Sequence, residues 1–276
     1  MSWGYLVGCL ITGLLISFGA PFWNDLLGAL GGKARPAVPL NWTVGFTEPD
    51  QAAAEAAFYV EKHGVRSIRL KIGRPGDIDA RAVAAVRRRL GSEVPIRVDA
   101  NEYYRSSKEA ISAIRLLEPH TIQMVEQPLA AEDLLGHAEV RLAVSAPIIL
   151  DESIQTPRDA LGAIQARAAD AFNVYVSESG GLLRGQQIIA IAEAAGLPCL
   201  IGTMGELQIA SAAAAHLGVA CANIPFTCDL VGPLRYDESI VREPLGLEDG
   251  LFYPPEGPGL GVTLNWDVIN RWRVPL

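Results

Sequence analysis

The feature that most constrains this sequence is a near-constant repeat. From residue 38 onward, short apolar runs alternate with alanine-rich stretches. The runs are VPLNWTVG (38–45), SIRLKIG (67–73), PIRVDAN (95–101), IQMVEQP (122–128), PIILDES (147–153), AFNVYVS (171–177), PCLIGTM (198–204) and ANIPFTCD (222–229). Marked at Thr43, Lys71, Asp99, Glu126, Asp151, Tyr175, Gly202 and Cys228, they step by 28, 28, 27, 25, 24, 27 and 26 residues. The stretches between them, such as 50–63, 77–90, 106–117, 156–168, 183–195 and 205–217, read as helices whose ends are punctuated by Pro and Gly. Strands joined by helical crossovers form a parallel sheet, because a tight hairpin joins only antiparallel neighbours. Eight such units close into a TIM-like, (β/α)8-type barrel more naturally than into an open doubly wound sheet. No GxGxxG follows any of these runs, which removes the usual dinucleotide fingerprint.

The flanks break the rhythm. No charged residue precedes Asp25, and the 21-residue run Trp3–Trp23 has aromatic residues near both ends (Trp3, Tyr5, Phe22, Trp23). A membrane-spanning helix needs about 20 apolar residues and favours aromatic ends. With no Lys or Arg ahead of it, the run makes a poor signal peptide. Lys33 and Arg35, which follow it, would leave the rest of the chain on the cytoplasmic side. Residues 1–31 are therefore expected to be a hydrophobic segment that anchors the chain through 3–23, or else a buried helix, since Gly4, Gly8, Gly13, Gly19 and Pro21 weaken the pattern. The barrel is expected over 32–240, with 241–276 as a Pro- and Gly-rich extension beside it. Composition narrows the function classes. With 23 basic against 31 acidic residues the net charge is −8, and no basic footprint for nucleic acid exists. Four cysteines (Cys9, Cys199, Cys221, Cys228) lack CxxC spacing, as in a chain of a reducing compartment.

In a barrel of this kind the C-terminal ends of the strands form the active-site rim. Four consecutive ends carry Lys71, Asp99, Glu126 and Asp151. Each acid alone also fits a helix-capping or solvent-facing role. Together, three acids at matching heights on adjacent strands would repel unless a cation lies between them. Hard oxygen ligands favour Mg²⁺, with Mn²⁺ as an alternative. None of the four histidines falls at a strand end, which argues against zinc. Arg69, two residues before Lys71, shares its face of the strand. A lysine crowded by Arg69 and a divalent cation is expected to favour the neutral amine, which can act as a base. Lysine and metal together suggest proton abstraction α to a carboxylate.

These motifs resemble the enolase superfamily, in its mandelate racemase and muconate-lactonizing branch, over about residues 32–264. RVDAN, VEQPL and LDES are similar to the family's three metal-ligand motifs, which implies Asp99, Glu126 and Asp151 as ligands. RLKIG resembles its Lys-x-Lys motif, with Lys71 as the second lysine. The passage GGKARPAVPLNWTVG and the strings GTM (202–204), GPL (232–234), REPL (242–245) and PEGPGLGV (255–262) are also similar to it. The resemblance implies a modified (β/α)7β barrel, a carboxylic acid substrate and an N-terminal capping domain of roughly a hundred residues that closes over it.

The sequence departs from the pattern in three places. Arg69 stands for the first lysine. Tyr175 follows Asn173 where the family's strand-six lysine is expected. Only about 31 residues precede the match. Arg69, Asn101, Asn173 and Asp229 are expected to touch substrate, although Asp229 and Glu152 equally fit solvated loop positions. Asn101, Gln127 and Asn173 are candidates to hydrogen-bond the ligating carboxylates. Tyr175 is either an acid or enolate donor, or a packed aromatic. With no lysine opposite Lys71, one-base chemistry is expected, either cycloisomerisation or dehydration. The lid would come from a homo-oligomer or another partner. A truncated or fused relic that binds metal without turnover is the alternative, and a binding module for small acids is a third.

Overall fold

The structure, a computed structural model, describes residues 26–273. A short helix α1 (Leu26–Ala29) leads through β1 (Val38–Pro39) into seven strand–helix units. These are β2 (Asn41–Val44) and α2 (Pro49–His63), β3 (Ser67–Lys71) and α3 (Ile78–Leu90), β4 (Ile96–Asp99) and α4 (Ser107–Leu117), and β5 (Met124–Glu126) and α5 (Leu134–Ala143). They continue with β6 (Ile148–Leu150) and α6 (Pro157–Ala166), β7 (Ala171–Val174) and α7 (Leu182–Ala194), and β8 (Cys199–Ile201) and α8 (Gln208–Ala220). The chain ends with β9 (Gly246–Glu248), β10 (Leu251–Tyr253) and α9 (Trp266–Trp272).

Strands β2 to β8 form one parallel sheet in sequence order. Their outward side chains (Ile68, Leu70, Val98, Val125, Ile148, Leu150, Phe172, Val174) are buried beneath the helices, which explains the nearly continuous apolar runs. Helix signals lie where the composition put them. Pro49 opens α2 and Gly64 closes it at φ 66, where the Gly64 N–H donates to Val60 O and the Val65 N–H to Tyr59 O. Thr156 and Asp159 form a reciprocal capping box at α6.

Two strands differ from expectation. The run 38–45 divides at Leu40. β2 joins the barrel sheet, whereas β1 pairs antiparallel with β10, which in turn pairs with β9. The run 222–229 is not a ladder strand but still closes the ring. Cys228 N–H donates to Pro39 O at 2.8 Å, Asn41 N–H to Cys228 O at 2.9 Å, and Asp229 N–H to Ile201 O at 2.9 Å. Pro225 interrupts that run, and a proline has no N–H to offer a ladder. The barrel is thus seven strand–helix units with an irregular closing segment.

Residues of the extension are hydrogen-bonded at the N-terminal end of the barrel, opposite the strand ends that carry the acids. Leu40 N–H donates to Gly250 O at 2.8 Å, and a side chain at Gly64 would meet Asp249 at 2.7 Å. Among the described residues no helix is long and apolar enough to cross a membrane, and the run 3–23 lies outside them.

Candidate active site

Lys71, Asp99 and Glu126 are direct register partners across β3, β4 and β5. Side chains alternate along a strand, so all three point into the barrel at its C-terminal end. Lys71 Nζ donates to Asp99 Oδ2 at 2.5 Å and to Asn101 Oδ1. A quarter of the Lys71 side chain remains exposed, whereas Asp99 and Glu126 are buried. The loop after β4 folds back sharply, with Asn101 and Glu102 in left-handed conformations (φ 40 and 63). That turn lets Asn101 N–H donate to Asp99 Oδ1 at 2.9 Å.

Asp151 departs from the expected equal height. Glu126 is opposite Ile149, so Asp151 lies two residues farther along, just past the end of β6. It is held there by Gln127, whose Oε1 accepts from Asp151 N at 2.8 Å while Nε2 donates to Ser153 Oγ at 2.8 Å. Tyr175 donates to Asp151 Oδ2 at 2.9 Å. Burial, then Glu126, Glu152 and Asp99, raise Asp151 well above the ordinary carboxylate range. Burial followed by the Asp151 charge raises Tyr175 well above an ordinary phenol, so its hydroxyl is a donor and not an anion. Glu152 is also raised, mainly by burial, and accepts from Asn101 Nδ2 at 2.9 Å.

A second layer of charge lies one side-chain pair below. Arg69 Nη1 donates to Glu126 Oε1 at 2.6 Å, stands 2.9 Å from Asp229 Oδ2 and 3.6 Å from Asp99 Oδ2, and its Nε reaches Thr43 Oγ1 at 3.1 Å. Burial alone would lower the arginine, but Asp229, Glu126 and Asp99 together hold it well above its usual range. Asp229 also accepts from Arg97 Nη2 at 2.8 Å and from the Asn41 amide. Asn173 Nδ2 donates to Glu126 Oε1 at 2.9 Å.

Four residues were expected to touch substrate, and the structure places them at different depths. Arg69, Asn173 and Asp229 are buried and face carboxylates or arginines inside the barrel, and only Asn101 stays at the rim. Arg97, which the sequence reading did not single out, is fully buried. Its position two residues before Asp99, on the same strand face, was the available signal.

The donor set suits a hard cation, because it consists of carboxylate oxygens and Glu126 Oε2 is buried with no hydrogen-bond partner. Each acid is nonetheless turned toward a neighbour: Asp99 to Lys71, Glu126 to Arg69, Asp151 to Tyr175. Among the described residues no three His, Cys, Asp or Glu side chains are gathered as a metal cage. An ion shared by Asp99, Glu126 and Asp151 would compete with these neighbours for the acids' oxygens, and Glu126 Oε2 is already free of them.

A parallel barrel with a lysine and acids on consecutive strand ends defines a class of enzyme scaffold. Residues 51–268 match the family model described as enolase C-terminal domain-like. The chain belongs to the enolase superfamily, in the mandelate racemase/muconate lactonizing family. It is 34% identical over 244 residues to muconate cycloisomerase 1 of Rhodococcus opacus, covering 88% of this chain and 65% of that protein. It is 36% identical to the L-Ala-D/L-Glu epimerase of Bacillus subtilis, covering 84% of this chain and 63% of that one. A mandelate racemase/muconate lactonizing family protein from Azoarcus sp. EbN1 superposes with a TM-score of 0.86 at 35% identity, over 92% of this chain and 70% of that one. The chain thus spans a little under two thirds of these curated relatives. Enzymes of the superfamily generally use a divalent metal.

Proposed function

We propose that this chain carries the barrel of an enzyme that removes the proton α to a carboxylate, with Lys71 as the base and Mg²⁺, or Mn²⁺ in its place, at Asp99, Glu126 and Asp151. The reaction favoured is cycloisomerisation or dehydration of a small carboxylic acid. Bound at those acids, the ion would supply the positive charge that offsets the charge growing on the substrate carboxylate as the α-proton leaves. Lys71 is the partly exposed cation of the cluster, so its amine reaches both the mouth and Asp99. Asn101 orients that amine from the other side.

The observation that carries the one-base reading is on β7. β3 and β7 are the second and sixth of eight ring positions and therefore face each other across the barrel. Tyr175 stands just past β7 with its hydroxyl committed to Asp151, so it offers a proton and no lone base. Inverting a carbon centre calls for a base on each face, whereas cycloisomerisation or β-elimination proceeds with one. Relatives named as cycloisomerase, epimerase and racemase all share the scaffold, and the β7 position argues for the first kind of chemistry here.

The test follows solvent deuterium into the α-carbon of a panel of small carboxylic acids. The parent should exchange without racemising, and Lys71→Met should lose exchange while keeping Mg²⁺-dependent thermal stabilisation. Exchange that persists in Lys71→Met would remove Lys71 as the base, and racemisation would require a second one. Excess Mg²⁺ should stabilise the parent by about 2.7 kcal/mol at a hundredfold excess over Kd. Glu126→Gln should shrink that gain. A parent blind to Mg²⁺ would favour the alternative of a relic without turnover.

A further inference from the structure

We propose that Asp229 is a positioning residue that restrains Arg69 and thereby keeps Glu126 available to a cation. This rests on the reading of Asp99, Glu126 and Asp151 as a metal centre.

Arg69 presses directly on that centre. Its Nη1 is 2.6 Å from Glu126 Oε1 and 3.6 Å from Asp99 Oδ2, so a fixed positive charge occupies space beside two ligand acids. A guanidinium has five N–H donors in a planar fork and stays protonated. Left unrestrained, it would take both carboxylates as a pair and compete with any divalent ion. Asp229 is the third carboxylate within its reach, at 2.9 Å from the same Nη1 and 0% exposed. Asp229 is fixed from the far side by Arg97 Nη2 at 2.8 Å and by the Asn41 amide, which Ser67 Oγ steadies at 2.9 Å. Arg97 makes no other side-chain hydrogen bond through Nε or Nη1, so its charge is directed at Asp229.

The consequence shows on Glu126. Oε1 takes both Arg69 and Asn173, while Oε2 is buried and unpartnered. One oxygen is neutralised and the other is left for an ion. Asp229 therefore acts through Arg69 and does not touch the reacting atoms.

The experiment titrates Mg²⁺ into the full chain by calorimetry, without substrate. Partners behind ligating groups typically change metal affinity by about 10–100-fold. Asp229→Asn should weaken Mg²⁺ binding at least about tenfold, because Arg69 then bears undivided on Glu126 and Asp99. Arg97→Met removes the anchor behind Asp229 but leaves Asp229 as a partner of Arg69, so it should weaken Mg²⁺ binding less than Asp229→Asn does while lowering the melting temperature. If Asp229→Asn does not fold, the double variant Asp229→Asn/Arg97→Met removes one buried charge of each sign. It should bind Mg²⁺ about tenfold more weakly than Arg97→Met alone. A melting temperature that falls with unchanged affinity in the Asp229 variants would make the residue purely structural and overturn the proposal. A parent that binds no Mg²⁺ would instead overturn the metal centre itself, and this inference with it.

Discussion

Tyr175 and Gly202 show how tightly single residues set the candidate site. A Cβ at Gly202 would run into the Tyr175 ring and come within 2.7 Å of Asn173 Oδ1. A glycine on β8's C-terminal flank leaves the space in which the tyrosine ring lies as it reaches Asp151. Gly202→Ala should therefore destabilise the chain by about 1–3 kcal/mol, the usual cost of overpacking. Shortening the neighbour with Tyr175→Leu in the same chain should recover part of that loss. Urea unfolding of the two single variants and the double closes the cycle, and strictly additive effects would show that the two do not share this space. The charged residues of the barrel illustrate a second residue-scale point. Lys71, Asp99 and Glu126 were legible because strand alternation places them by counting. The partners of Asp229 were not, because Arg69, Arg97 and Asn41 come from three different strands whose meeting depends on how the barrel closes.

At the scale of elements, helix ends followed local chemistry closely. Helix α6 begins where Thr156 and Asp159 exchange hydrogen bonds with each other's backbone and where Pro157 supplies the first helical residue. Thr156→Ala should lower stability by about 1 kcal/mol, read from the shift in denaturant midpoint at unchanged slope. Strand ends were less local. The run 38–45 reads as one strand, yet at Leu40 it turns from an antiparallel partner of β10 into a parallel member of the barrel. Nothing within those eight residues encodes the switch, because β10 lies more than two hundred positions away. The tail approaches so closely that a Cβ at Gly250, where φ is 70, would collide with Gly64 O. Gly250→Val should accordingly loosen the tail, and amide exchange at Leu40, which donates to Gly250 O, should speed up more than exchange at Val98.

For the whole molecule, buried histidines set part of the response to acid. His137 is held neutral, with Nδ1 toward Asp133 O at 2.8 Å and Nε2 facing the Leu129 N–H at 3.3 Å and the Gln127 amide at 3.4 Å. Burial lowers it below the ordinary 6.5, and His216 is lowered in the same way. The folded state then binds these protons less readily than the unfolded chain. Their contribution is complete above about pH 6.5 and is lost as pH falls toward the lower folded values. Asp151 and Glu152, raised in the fold, act in the opposite sense, so the net profile mixes both. The difference isolates the histidine: between pH 7.5 and 5.5 the parent should lose stability relative to His137→Gln in urea melts. Equal slopes would mean that His137 does not titrate against the fold.

The sequence by itself determined the repeat, the parallel sheet, the helix boundaries and the rim residues Lys71, Asp99 and Glu126. Each depends on interactions within a few residues or on the two-residue period of a strand. Only the tertiary structure decided the rest. The ring is closed by an irregular segment interrupted by Pro225, and β1 is claimed by β10. Asp151 lies a step beyond its neighbours, and Arg69, Asn173 and Asp229 are turned inward to one another. The backbone features arise because main-chain groups pair with whatever segment the closed barrel brings alongside, and the side-chain ones because buried charges take the partners within reach. That choice is made by strands far apart in sequence, and no local pattern records it.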